Sequence, residues 1–151
     1  MKSIEGNLVH MARAGEFDVV VHGCNCFHTM GAGIAKTIAQ VFPEALAADK
    51  QTPYGEISKL GEISTTHILR DSHDLVIVNA YTQHQWKGRG IKVSYDAIQS
   101  CFQKVAKQYP LLKIGYPKIG AGRAGGDWSI IEPLIVEALQ GLDHTLVVYK
   151  S

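Results

Sequence analysis

Apolar residues recur along this chain in two alternating rhythms. Residues 17–22, Phe-Asp-Val-Val-Val-His, form a short β-branched run of the kind a sheet buries on both faces. Residues 30–42 switch to helical spacing, with Ile34, Ile38, Val41 and Phe42 on one stripe. Pro43 ends that helix or opens another through 44–49. Residues 61–66 return to a strand pattern, and 75–80, Leu-Val-Ile-Val-Asn-Ala, make a second deeply buried strand. A helix is predicted over 93–109 from Ile98, Phe102 and Val105, then a short strand over 114–117. A helix over 130–139 is closed by Gly141, with Ser129 and Glu132 spaced for a capping box. Residues 146–149 read as the last strand, and 3–5 as an opening one. Strands separated by helices predict a largely parallel sheet covered on both faces. Ligands of such sheets sit at the carboxyl ends of the strands, in loops that lead into helices.

Composition narrows the class. The 151 residues suit one domain, read over 1–151, and 46% hydrophobic content is enough for a core. Fifteen Lys and Arg against 14 Asp and Glu leave a net charge of +1, which excludes gripping nucleic acid or membrane by bulk charge. The opening MKSIEGN carries no signal-peptide run, and no stretch has the length of a membrane span. Three cysteines are too few for a disulfide framework, and no association surface stands out. The expectation is a cytoplasmic monomer with reduced thiols.

Two loops at predicted strand ends concentrate glycine. The first runs from His22 to Ala35 and contains Gly31-Ala32-Gly33; the second runs from Pro117 to Trp128 and contains Gly120-Ala121-Gly122 and Gly125-Gly126. Missing side chains let backbone approach a ligand, and free N–H groups beside a helix N-terminus attract anions. One such loop reads as a tight turn; two at one sheet edge point to a diphosphate held between them. Neither loop is a Walker A sequence, and Gly31-Ala32-Gly33 does not complete a dinucleotide fingerprint.

His22, Cys24, Cys26 and His28 alternate at a spacing of two, but four residues from one continuous segment rarely converge on a tetrahedron, so no metal is expected. Trp86-Lys87-Gly88-Arg89-Gly90-Ile91-Lys92 is a basic loop with one aromatic. It reads as a solvated loop, as a cover for the pocket mouth, or as a small nucleic-acid footprint.

Gly6-Asn7-Leu8, the Cys24-Asn25 segment, residues 30–35, residues 117–122 and Val147-Val148-Tyr149 together resemble a macrodomain across nearly the whole chain. The subgroup most similar is that of the terminal ADP-ribose protein glycohydrolase and the ADP-ribose-1''-phosphate phosphatase. The resemblance implies a three-layer α/β/α fold around a mixed, mostly parallel sheet. It implies ADP-ribose or a derivative as ligand, with no cofactor and no membrane partner. Asn7, with Leu8 beside it, stands where many members use Asp on the adenine amino group, and its side-chain oxygen accepts the same hydrogen bond. Asn25 would hold the distal ribose. Gly31, Ala32, Gly33 and Ile34 would surround that ribose and the diphosphate. Gly120, Ala121, Gly122, Arg123 and Ala124 would wrap the phosphates, and Tyr149 would lie near the adenine.

The catalytic group is less evident. The glycohydrolase-like members carry a lysine after a strand-end Thr; here Thr82 is followed by Gln83, and their second-loop Asp is replaced by Ala124. Both departures count against a lysine-based mechanism; Lys87 and Lys92 are the first lysines beyond that strand. The phosphatase-like members share His22-Gly23-Cys24-Asn25-Cys26. His22 is therefore a candidate acid–base group or a hydrogen-bonded strand-end residue, and Asp127 a candidate base or a helix N-cap. The leading expectation is dephosphorylation of ADP-ribose-1''-phosphate. The alternatives are an ADP-ribosyl hydrolase acting on protein or nucleic acid, and a reader that binds ADP-ribose without turnover.

Overall fold

The computed structural model describes residues 2–70, 73–88 and 90–150. Six strands, β1 (Lys2–Gly6), β2 (Val19–Cys24), β3 (Ile63–Arg70), β4 (His73–Tyr81), β5 (Ile114–Tyr116) and β6 (His144–Tyr149), form one sheet in the order β1-β6-β5-β2-β4-β3. All neighbours are parallel except β3 and β4, an antiparallel hairpin at one edge. The helices are α1 (Leu8–Arg13), α2 (Gly33–Val41), α3 (Pro43–Lys50), α4 (Tyr95–Gln108) and α5 (Trp128–Ala138), with a short 3₁₀ turn at Ile57–Lys59.

Side-chain alternation along the central strands explains the three layers. Val19, Val21, Val76 and Val78 point to one face and pack against Ile98, Phe102 and Val105 of α4 and Ile131 and Ile135 of α5. Val20 and Ile77 point to the other and meet Leu8 and Val9 of α1, Ile38 of α2 and Ala45 of α3. Each such side chain, fully removed from water, contributes about 1.5–3 kcal/mol.

Several boundaries differ from expectation. The strand expected over 17–22 begins at Val19; just before it, the Asp18 carboxylate accepts the Lys113 N–H at 2.9 Å. The strand runs on to Cys24, so Gly23 and Cys24 are strand residues paired with Ala80 and Tyr81, and the first loop begins at Asn25. Helix α2 starts at Gly33 rather than residue 30, since Ala32 is still extended. Asp127, not Ser129, caps α5: its carboxylate accepts from the Ser129 N–H at 2.9 Å and hydroxyl at 2.7 Å. Glu132 instead accepts from the Trp128 indole at 2.7 Å, so the capping box does not form. Helix α1 was not anticipated; its six residues are too short for a periodic stripe, though Asn7 caps it by accepting from the His10 N–H at 3.1 Å.

Candidate functional site

The loops after β2 and β5 meet at the carboxyl edge of the sheet and enclose a cavity of about 710 Å³, within the range of small-molecule sites. Eleven of the residues singled out from sequence border it: Asn25, Gly31, Ala32, Gly33, Ile34, Thr82, Gln83, Gly120, Gly122, Arg123 and Ala124. Cys24, Thr29, Trp86, Lys92 and Lys118 border it too. Thr29 carried no sequence signal beyond lying inside the first loop.

The first loop is braced by side chains. Asn25 accepts the Phe27 N–H at 2.8 Å and donates to Thr29 through its hydroxyl at 2.6 Å and its carbonyl at 3.2 Å. His28, at a left-handed φ of 58°, hydrogen-bonds the Thr52 carbonyl at 2.7 Å. The buried Lys59 ammonium donates to the Cys26 carbonyl at 3.1 Å. The second loop is held by backbone. Gly126 N–H donates to Gly120 O at 2.7 Å and Gly125 N–H to Gly122 O at 3.0 Å. The Lys92 and Val93 N–H groups both donate to Ala124 O.

The glycines around the cavity fall into two kinds. Gly120 has φ +78°, and a Cβ there would lie 2.7 Å from Val93; a Cβ on Gly126 would lie 2.5 Å from the Gly120 carbonyl. The fold itself requires those two. Gly31 and Gly122 have ordinary φ, and a Cβ on either would meet nothing within 4 Å. Their missing side chains serve neither conformation nor packing, and both face the cavity. Among the described residues, no protein acceptor meets the N–H of Gly31, Ala32, Gly122, Arg123 or Ala124. On the cavity wall the Thr82 hydroxyl is fully buried with no hydrogen-bond partner among the described residues. A buried, unmet hydroxyl is costly unless something else completes it.

The two proposed catalytic residues lie elsewhere. His22 is sealed at 0% exposure, with Nε2 2.6 Å from Asn79 Oδ1, and does not border the cavity. Asn79 donates its amide to the Ala45 carbonyl at 3.0 Å, so its oxygen faces His22 and the imidazole must donate through Nε2. Burial pulls the His22 pKa below its ordinary value, against the raising influence of the Asn79 bond, so the ring is held neutral. Asp127 is exposed at the α5 N-terminus; its hydrogen bonds from Ser129 hold the carboxyl below its usual value, and it does not border the cavity. Cys24 borders it, but its thiol lies 3.7 Å from the sealed His22 ring and burial raises its pKa well above the ordinary value, so it is a neutral group and no nucleophile.

Asn7, Leu8, Ala121 and Tyr149 do not border the cavity. Asn7 caps α1, Leu8 is the buried first residue of that helix, and Ala121 packs against the core. Tyr149 is 74% exposed and sits in register with Gly6, at the β1–β6 end of the same sheet edge. Arg89 of the basic loop lies outside the described residues.

Comparison with known proteins agrees with this architecture. The chain is 38% identical to an uncharacterized 17.5 kDa protein of Enterobacteria phage T4, over 99% of this chain and 97% of that one. It is 28% identical to a DNA ADP-ribosyl glycohydrolase of Mycobacterium tuberculosis, covering 87% of this chain but 38% of that protein's length. Thermosipho africanus DarTG, solved in complex with ADP-ribose, superposes with a TM-score of 0.66 at 20% identity, covering 88% of this chain and 38% of that one. The Macro domain model matches residues 21–135, a stretch that includes both loops, and on that match the chain belongs to the macro domain family.

Proposed function

We propose that the cavity binds ADP-ribose, with the diphosphate between Gly31–Ala32 and Gly122–Ala124. The observation that carries this reading is the pair of glycines, Gly31 and Gly122, that neither conformation nor packing requires. Five unmet N–H groups and the cations of Lys92, Lys118 and Arg123 around the same space suit a diphosphate. The known ADP-ribose complex of a fold relative supports the same ligand. Asn7 and Tyr149, at the β1–β6 end of this edge, are assigned to the adenine side. Titration calorimetry tests this directly: ADP-ribose should bind in the micromolar range, and an absence of heat at millimolar ligand would remove the assignment.

For the reaction, hydrolysis of the bond between the distal ribose and an attached group is preferred over dephosphorylation of ADP-ribose-1''-phosphate. The phosphatase reading relied on His22 as acid–base group, and that ring is sealed behind the wall against Asn79. The likeness to a DNA ADP-ribosyl glycohydrolase favours the hydrolase. Incubation with ADP-ribosylated oligonucleotide, ADP-ribosylated protein and ADP-ribose-1''-phosphate separates the readings. The hydrolase releases ADP-ribose from a conjugate, the phosphatase releases phosphate, and a reader binds and releases neither.

A further inference from the structure

Outside the cavity mouth the chain exposes two aromatic rings, Tyr54 and Trp86, around Phe27, which packs on the core beneath them. Phe27, at the tip of the first loop, has the Tyr54 ring edge-on at 5.5 Å, Trp86 at 5.7 Å and His84 at 4.9 Å. Tyr54 is 67% exposed and Trp86 42%. The segment that presents Tyr54 is fastened rather than loose. His28 bonds the Thr52 carbonyl, Gly55 N–H donates to Cys26 O at 2.7 Å, and His84 hydrogen-bonds the Gly55 carbonyl at 2.8 Å. A Cβ on Gly55 would lie 3.1 Å from the Phe27 ring, so glycine there lets the segment close onto that ring. Large exposed rings held in fixed positions have contact surface ready without an ordering cost.

Charge surrounds the rings on the cavity side. The Lys87 ammonium lies 5.1 Å from the Trp86 ring centroid, and Lys92, Lys118 and Arg123 follow around the mouth that Trp86 itself borders. Lys92 is held against the second loop by donating to the Arg123 carbonyl at 3.3 Å. Glu56 is the one acid in residues 51–60. Stacking rings beside a track of cations match unpaired bases joined by phosphates. An acidic peptide would use the cations and leave the rings idle, while a duplex keeps its base faces hidden.

We infer that Tyr54 and Trp86, backed by Phe27, form a stacking site for unpaired bases of a nucleic-acid strand whose phosphates run along Lys87 and Lys92. This rests on the reading of the cavity as an ADP-ribose site and names the group attached to the distal ribose as single-stranded nucleic acid. Binding of an unmodified, fluorescein-labelled ten-nucleotide single strand, followed by anisotropy at low salt, tests it. The strand should bind, should weaken as salt rises, and should outcompete a duplex of the same length. Tyr54→Ala should weaken strand binding about tenfold, as loss of one stacking ring does, while calorimetric ADP-ribose affinity and melting temperature stay at wild-type values. No strand binding alongside intact ADP-ribose binding overturns the inference and leaves the cavity assignment standing. Strand binding unaffected by Tyr54→Ala, equal duplex binding, or tighter binding of an acidic peptide overturns it as well. Loss of ADP-ribose binding by the wild-type protein instead defeats the assignment beneath it.

Discussion

The two loops that enclose the cavity look alike in composition and are built on opposite principles. In the first, polar side chains hold the backbone: Asn25 satisfies Phe27 and Thr29, His28 reaches Thr52, and Lys59 reaches Cys26. In the second, carbonyls and N–H groups close on each other, and glycine is what lets them approach. The difference shows which residues are frame and which are free for a ligand. Asn25, Gly120 and Gly126 belong to the frame, whereas Gly31 and Gly122 border the cavity without serving conformation or packing.

The sharpest way to break this contrast is to crowd the second loop. Gly126→Ala places a methyl 2.5 Å from Gly120 O and 2.6 Å from Val93. Overpacking against backbone should cost about 3 kcal/mol, read as a lower urea midpoint; a neutral result would mean that the loop is not held by close backbone approach. Asn25→Ala comes next. It leaves the Phe27 N–H and Thr29 without their partners and should cost about 2 kcal/mol by the same measurement. Were it to weaken ADP-ribose binding with no loss of stability, Asn25 would be a ligand group rather than a brace.

Asp127→Ala should have a smaller effect. It removes the N-cap of α5 and should lower the urea midpoint by less than Asn25→Ala, leaving hydrolysis of an ADP-ribosylated substrate intact. Abolished turnover at unchanged stability would return Asp127 to the chemistry. The smallest effect belongs to His22. Burial depresses its folded pKa below the ordinary 6.5, so the unfolded chain binds the proton first as pH falls. The stability it contributes is present above pH 6.5 and is lost as pH drops toward the folded value. His22→Gln retains a donor toward Asn79 and removes the titration, so its melting temperature should fall less steeply than wild type between about pH 7 and 5. Parallel curves would show that the ring is not held neutral. His144, also depressed by burial, contributes the same trend to both proteins.

The buried strands were legible because Val19-Val20-Val21 and Val76-Ile77-Val78 leave no other economical place for their side chains. The antiparallel β3–β4 hairpin is not, since buried Ile68 and exposed Leu69 are both apolar, which erases the alternation beyond Thr66. Within the site, glycine-rich loops at strand ends located the cavity. Sequence does not distinguish Gly122 from Gly120, because what separates them is φ and the distance to Val93. Nor does it reveal that the strand runs two residues past His22, which carries that side chain into the polar interior with Asn79 instead of toward the cavity. The Trp86 loop reads from sequence as solvated, as a cover for the mouth or as a small nucleic-acid footprint; its exposure beside Phe27 and Tyr54 is a product of three separate segments meeting.

The claim that most depends on this contrast is that Gly122 is kept bare for a ligand. Calorimetry of ADP-ribose against Gly122→Ala, alongside urea denaturation of the same variant, tests it most directly. Affinity should fall by at least about tenfold, some 1.4 kcal/mol of binding, with the urea midpoint at or slightly above wild type. An unchanged dissociation constant would mean that nothing occupies the space beside Gly122, and the diphosphate does not lie where the two loops meet.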